Sequence, residues 1–303
     1  MVEKNIKSLV TGGCGFIGSH IVDMLVKIGH DVIVIDDLSA PENEEFYYNK
    51  EIDKVQYIIK DISKDDCSDY FTGCTYVFHL AARSRIQPTI GSPGECFDIN
   101  VIGTQRVLEW SRLAGISKLV YSSTSSLYGH QNPIPFTPNM PPYCLNPYSM
   151  SKWMGEQICK LYFQLYGFKS IVLRYFNVYG PREPIRGEYA PVIGLFKRQV
   201  REGKAITVVG DGLQRRDFTY ISDVVEANIC AMNANIDHNI YNIGTGINYS
   251  ILEIANMVDS KAEIIHIEKR PAEVRETLSD IKNTQLDLQW SPIYNLEDTI
   301  KSY

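Results

Sequence analysis

The chain has 303 residues and a formal net charge of −6. Charged residues at 22% and hydrophobic ones at 44% are the balance of a globular chain long enough for a sizeable core. The acidic balance argues against a nucleic-acid coat or a binder of anionic membranes, and no apolar run is long enough to span a bilayer. The seven cysteines (Cys14, Cys67, Cys74, Cys96, Cys144, Cys159 and Cys230) are odd in number and include no CxxC pair. Neither a disulfide framework nor a metal site is therefore expected. The polar start from Met1 to Lys7 leads straight into a strand, so no signal peptide is expected and the predicted compartment is a reducing cytoplasm.

Ile6 to Thr11 reads as the first strand. Thr11-Gly12-Gly13-Cys14-Gly15-Phe16-Ile17-Gly18 follows it and opens a helix predicted over Ile17 to Ile28. Glycines there allow a tight turn and bring a pyrophosphate close to the backbone, while the helix start offers free N–H groups. The strand–turn–helix setting gives this glycine pattern its weight. The second strand, Asp31 to Ile35, ends in Asp36-Asp37, near the offset where a carboxylate meets adenine ribose hydroxyls and repels the extra phosphate of NADP. NAD is thus the expected cofactor. Both aspartates could instead simply end a strand in a turn, which suits Asp37 better than Asp36.

Val55 to Ile59, Thr75 to Leu80 and Lys118 to Ser122 continue the strands, with a helix over Cys96 to Ala114. The alternation implies an α/β fold: a Rossmann-type, doubly wound parallel sheet with helices on both faces. The fifth strand runs into Ser122-Ser123-Thr124-Ser125-Ser126, at the carboxyl end where open α/β sheets bind ligands. A Ser/Thr-rich loop making only local turns would look the same. Next comes a helix from about Pro147 to Tyr166, in which Tyr148 and Lys152 lie one turn apart on one face. An ammonium beside a phenol lowers its pKa and makes a general base for neutral pH, although the same spacing also occurs on ordinary solvated faces. Ser170 to Tyr175 is a further strand. Beyond it the elements shorten, with Gly and Pro recurring, and a smaller α/β domain is expected from 177 to 303 after a first domain of 1 to 176. Ser222 to Met232 and Tyr241 to Ile243 are expected to pack back on the first domain.

These motifs, in order, resemble the extended short-chain dehydrogenase/reductases. The resemblance is carried by the Gly12 to Gly18 loop, Asp36, His79-Leu80-Ala81-Ala82, Asn100-Val101-x-Gly103-Thr104, the Ser/Thr run, and Tyr148-x-x-x-Lys152. Leu173 to Arg182, Arg216-Asp217-Phe218, Tyr241-Asn242-Ile243-Gly244 and Arg270-Pro271-Ala272-Glu273 extend it over nearly the whole chain. It looks most like the NAD-dependent nucleotide-sugar 4-epimerases. In such enzymes NAD takes hydride from carbon 4 of a UDP-sugar and returns it to the other face.

The resemblance implies Tyr148 as base, Lys152 as its pKa-lowering partner and holder of the nicotinamide ribose, Thr124 as hydrogen-bond partner of the 4-oxygen, and Ser123 as an assisting neighbour. It implies a cofactor lining of Gly12, Gly15, Phe16, Ile17, Gly18, Asp36, Asp37, Asp61, Ile62, Leu80, Ala81, Ala82, Asn100, Ser122 and Tyr175. Asn177, Arg216, Arg270 and Glu273 match positions that contact the UDP portion. Arg182, Arg186 and Arg215 are read as surface salt-bridge residues.

Three departures narrow the chemistry. Where related dehydratases and decarboxylases carry acids after the serine, this chain has Ser125-Ser126, which favours epimerisation. Thr277 falls where some 4-epimerases hold a bulky tyrosine, so room for a 2-acetamido group is expected, and with it UDP-N-acetylglucosamine and UDP-N-acetylgalactosamine as substrates, along with UDP-glucose and UDP-galactose. Arg83-Ser84-Arg85 brings unusual charge to the loop after the fourth strand, so Arg85 is a candidate sugar contact and a UDP-glucuronate 4-epimerase stays open. So do a dehydratase, a decarboxylase and a non-catalytic dinucleotide sensor built on the same frame. A homodimer through the helical faces around Trp110 and Trp153 is expected from the resemblance.

Overall fold

The computed structural model describes residues 6–40, 45–51, 53–185, 190–270 and 274–303. β1 (Lys7–Thr11), α1 (Phe16–Lys27), β2 (Asp31–Asp36), β3 (Val55–Ile59), α2 (Ser68–Phe71) and β4 (Tyr76–His79) come first. α3 (Ile86–Gly91), α4 (Pro93–Phe97), a π-helical turn (Asp98–Gly103) and α5 (Thr104–Leu113) follow. β5 (Lys118–Thr124), a 3₁₀ turn (Ser125–Tyr128), α6 (Pro147–Tyr166) and β6 (Ser170–Tyr175) complete the first half. The strand order is β11-β6-β5-β4-β1-β2-β3 in one seven-stranded sheet, with β11 (His238–Ile243) added from late in the chain. Every pairing in it is parallel.

Alternation along these strands builds two cores. Val10, Val32, Val34, Val120 and Ile171 face one side, where α1 and α8 (Ile221–Asn233) pack through Ile21, Leu25, Val224 and Val225. Leu9, Ile33, Ile35, Leu119 and Val172 face the other, under α5 and α6 through Val107, Leu108 and Cys159. Strands buried on both faces read as near-continuous apolar runs, which is why the sequence announces them. The order reverses between β1 and β4, and a crevice opens there at the carboxyl ends.

The expected helix over Cys96 to Ala114 is broken. A π-helical turn between α4 and α5 adds a residue to the spiral and turns Asn100 inward, fully buried. α6 forms as expected: Asn146 caps it with a reciprocal Ser149 bond, Pro147 occupies its first turn, and Gly167 ends it left-handed at φ 64°.

The later elements are small. β7 (Val178–Tyr179) pairs with β10 (Thr219–Tyr220), β8 (Ile206–Val209) with β13 (Ile264–Ile267), and β9 (Arg215–Asp217) antiparallel with β12 (Asn248–Ser250). α7 (Val192–Arg201) and α9 (Ile251–Val258) cover them around Ile193, Phe196, Val208, Phe218 and Ile254. α10 (Lys282–Leu288) and α11 (Leu296–Thr299) finish the chain. α8 and β11 return to the large sheet, and Trp290 fixes the return by donating to the Asp223 carbonyl at 2.9 Å.

Candidate active site

The glycine loop is shaped by contact. Gly12 sits at φ +72°, and a Cβ there would stand 2.7 Å from the Ala81 backbone nitrogen. A Cβ on Gly18 would meet the Gly12 carbonyl oxygen at 2.1 Å. These two glycines let β1, β4 and the start of α1 converge. Gly15 differs: the nearest heavy atom to its missing Cβ is the Gly12 carbonyl oxygen at 3.4 Å, so bare backbone borders the cleft. No side chain caps the start of α1, which leaves its first N–H groups for a ligand. This cradle fits a pyrophosphate.

Asp36 closes one end. It accepts from the Cys14 and Leu38 N–H groups, each at 2.9 Å, and borders the cavity. Burial raises its pKa and the two backbone bonds oppose that rise. Asp37 turns its carboxylate to the Ser39 N–H and hydroxyl at 3.1 and 2.6 Å, and so ends the strand in a turn. Asp61 bonds Ser63 and pairs with Lys64 at 2.8 Å; burial pulls its pKa up, yet these bonds win and hold it low. Phe16, Ile17, Ile62, Leu80, Ala81 and Ala82 also border the cavity.

One continuous cavity of about 520 Å³ runs from this cradle past Ser122, Thr124, Tyr148 and Lys152 to Arg85, Asn177, Arg216, Arg270 and Thr277. Tyr148 is the second residue of α6, and the Thr124 hydroxyl at the end of β5 hydrogen-bonds to it. Burial raises the phenol's pKa, and the Thr124 bond and the Arg85 charge draw it back. Lys152 lies one turn further along α6 and borders the same cavity. Its ammonium donates to the Ser122 carbonyl at 2.8 Å and stands 4.9 Å over the Tyr121 ring. Burial lowers its pKa to about 8.

Two expectations are corrected. The Ser123 hydroxyl donates to Glu156 at 2.5 Å, so it is committed to the protein interior instead of assisting Tyr148. Asn100 lies off the cavity wall. Its amide accepts from the Arg83 N–H at 2.8 Å and donates to the Arg83 carbonyl and the Ser151 hydroxyl, so it fixes the loop after β4. Tyr175 borders the cavity with its ring, while its hydroxyl joins Ser122 and Asn228 at 3.0 and 2.9 Å.

On the far side, Arg216 donates to the Arg215 carbonyl at 2.9 Å. Asn177 and Thr277 both attach to Asp217 backbone, so they brace the strand that carries Arg216. Glu273 and Arg186 lie outside the described residues. Sequence reasoning missed the buried Glu156–Arg174 pair, bonded at 2.9 and 2.7 Å. Its only sequence trace is Glu156 one helical turn after Lys152. Among the described residues no group of three or more His, Cys, Asp or Glu could hold a metal, and no helix is long and apolar enough to cross a membrane.

The profile of the NAD dependent epimerase/dehydratase family matches residues 8–244. The chain belongs to this family. It is 38% identical, over 97% of its length and 95% of the relative's, to a Methanocaldococcus jannaschii protein provisionally named a UDP-glucose 4-epimerase. A UDP-N-acetylglucosamine 4-epimerase of Methanobrevibacter ruminantium, solved with UDP-N-acetylmuramic acid, superposes with a TM-score of 0.92 at 28% identity, covering 98% and 96% of the two chains. A Bacillus cereus UDP-glucuronic acid 4-epimerase, solved with UDP-glucuronic acid and NAD, gives 0.88 at 31% identity, covering 98% and 97%. The protein is an NAD-dependent enzyme of the epimerase/dehydratase family. The bare Gly15 backbone and the carboxylate of Asp36 at the end of β2 suit that cofactor.

Proposed function

We propose that the protein epimerises UDP-hexoses at carbon 4, with UDP-N-acetylglucosamine and UDP-N-acetylgalactosamine as the leading pair and UDP-glucose and UDP-galactose also accepted. The single cavity joining the glycine cradle, Tyr148 and the arginines of the later elements carries this reading. NAD, when bound, supplies the hydride acceptor and donor. Tyr148 takes the proton from the 4-hydroxyl and gives it back, and Thr124 orients that oxygen. Lys152 carries charge at the nicotinamide ribose end. Arg216 and Arg270 hold the diphosphate, for which a planar guanidinium is well suited. Residues 177–303, apart from the returning α8 and β11, form the sugar-nucleotide unit. Ser125 and Ser126, bordering the cavity without an acid between them, offer no means of eliminating water or carbon dioxide. The free thiols, mostly buried, suit a reducing cytoplasm.

Thr277 supports the acetamido substrates because it borders the cavity with a small side chain. Arg85 favours a second reading, UDP-glucuronate, because it brings a positive charge to the same cavity. The purified protein, given UDP-glucose, UDP-N-acetylglucosamine and UDP-glucuronate in parallel, should yield the 4-epimer of the second. Conversion of UDP-glucuronate alone would replace the leading substrate. Net NADH release or loss of water would overturn epimerisation itself.

A further inference from the structure

Asp217 follows Arg216 in β9. Alternation along the strand sends its side chain away from the cavity, where it is fully buried. Five neutral donors meet the carboxylate. Oδ1 accepts from the Thr245 N–H at 2.8 Å and the Thr245 hydroxyl at 2.7 Å. Oδ2 accepts from the Gly246 N–H at 3.0 Å, the Ser279 N–H at 3.0 Å and the Ser279 hydroxyl at 2.6 Å. A buried charge is a costly way to gain stability alone, because its desolvation must be offset bond by bond.

The donors come from two separate stretches of chain. Thr245 and Gly246 follow β11, the strand that joins the large sheet beside β6. Ser279 closes the stretch from Arg275, which runs along β9: the Arg215 N–H donates to the Arg275 carbonyl at 3.0 Å, and the Thr277 N–H to the Arg215 carbonyl at 3.1 Å. Gly244 makes room for the meeting. A Cβ there would stand 2.3 Å from the Ser279 hydroxyl oxygen and 3.0 Å from Asp217 Oδ2. The backbone of Asp217 recruits two cavity residues as well, donating to the Thr277 hydroxyl at 3.2 Å and accepting from the Asn177 amide at 2.8 Å. The Arg216 guanidinium rests on the Arg215 and Arg275 carbonyls, at 2.9 and 3.3 Å, within the same clip.

We propose that Asp217 is the positioning residue of the sugar-nucleotide side. By clipping β9 to the end of β11 and to the 275–279 stretch, it fixes the Arg216 guanidinium relative to the large sheet, and so sets the place of a UDP diphosphate. The inference rests on the reading of Arg216 as a diphosphate contact. A guanidinium fork holds a phosphate oxygen pair only in a narrow geometry, and that geometry survives only where the strand beneath it is locked. Asp217 lies off the cavity wall, so its effect on the nucleotide passes through its neighbours.

The test uses UDP alone, titrated calorimetrically into the purified protein with NAD bound, beside the protein's NAD affinity. Arg216→Ala should weaken UDP binding. Ser279→Ala removes one hydroxyl and leaves the three backbone N–H donors to the carboxylate. It should weaken UDP binding about tenfold, of the order of one hydrogen bond to a charged group, with NAD affinity unchanged. Asp217→Asn, which turns an amide against N–H donors, should weaken it further; where that variant does not fold, Ser279→Ala carries the test. On an Arg216→Ala background, Ser279→Ala should cost UDP binding nothing more. Unchanged UDP affinity in Ser279→Ala, with Arg216→Ala still weakened, would overturn the proposal. Equal losses of UDP and NAD affinity, the mark of general disorder, would do the same. An Arg216→Ala form that binds UDP as well as the parent would instead remove the reading of Arg216 on which the proposal stands.

Discussion

Tyr148, the proposed base, and the lysine one turn after it meet different surroundings. Tyr148 opens onto the cavity and shares a hydrogen bond with Thr124, whereas Lys152 is sunk beneath it on the Ser122 carbonyl. Tyr148→Phe removes a single oxygen and leaves that carbonyl anchor in place. Turnover should fall by roughly 10²–10⁴-fold, the usual contribution of a positioned proton-transfer group, while UDP-sugar affinity changes little. Near-normal turnover in that variant, measured beside calorimetric binding, would remove Tyr148 from the role of base. The Tyr-x-x-x-Lys spacing is legible in the sequence because it is local. The direction of the ammonium is not, because a carbonyl 30 positions earlier in the chain decides it. A similar distance in sequence, 33 positions, hides the commitment of Ser123 to Glu156.

Among the elements, α6 and β5 carry the groups proposed to react, and their approach is set by a missing side chain. A Cβ at Gly155 would lie 2.1 Å from the Tyr121 hydroxyl, and Tyr121 is the ring beneath Lys152. Gly155→Ala should push α6 off the sheet. The expected cost is about 1–3 kcal/mol of stability, as for other overpacked cores, together with a larger loss of turnover than of binding. Unchanged urea unfolding would mean that the helix shifts freely. A glycine inside a twenty-residue helix signals close packing, yet the sequence does not say against what. The break at Asp98–Gly103 is equally hidden, since an apolar period near 3.6 reads the same through a single wide turn.

Taken as a whole, the molecule rests on a buried polar chain beneath the cleft. Thr11 bonds one nitrogen of His79 at 2.7 Å, Thr104 the other at 2.9 Å, and Thr104 donates on to the Asn100 carbonyl at 2.6 Å. Burial holds His79 neutral down to about pH 3. The unfolded chain takes up that proton near pH 6.5. Its contribution is therefore fully present above about 6.5 and is lost as pH falls from there toward 3. By pH 5 roughly 2 kcal/mol should be gone. His79→Asn should lose less stability than the parent between pH 7 and 5 in urea titrations, and an identical loss would show that His79 takes no part. The parallel sheet itself is plain from the sequence, because its central strands β1, β2 and β4 are largely apolar on both faces. The pairing of β11 with β6 is less so, since the elements from β7 to α8 lie between the two strands.

That return has a consequence for how the protein is made. β11 ends at Ile243 and the Trp290 anchor comes later still, so the sheet that begins at Lys7 stays open at one edge until those residues have left the ribosome. Domains made in one piece close as soon as they clear the exit tunnel. Here the strands from β1 to β6 must wait, with the β6 edge and the α8 side of their core uncovered, for residues 221–243.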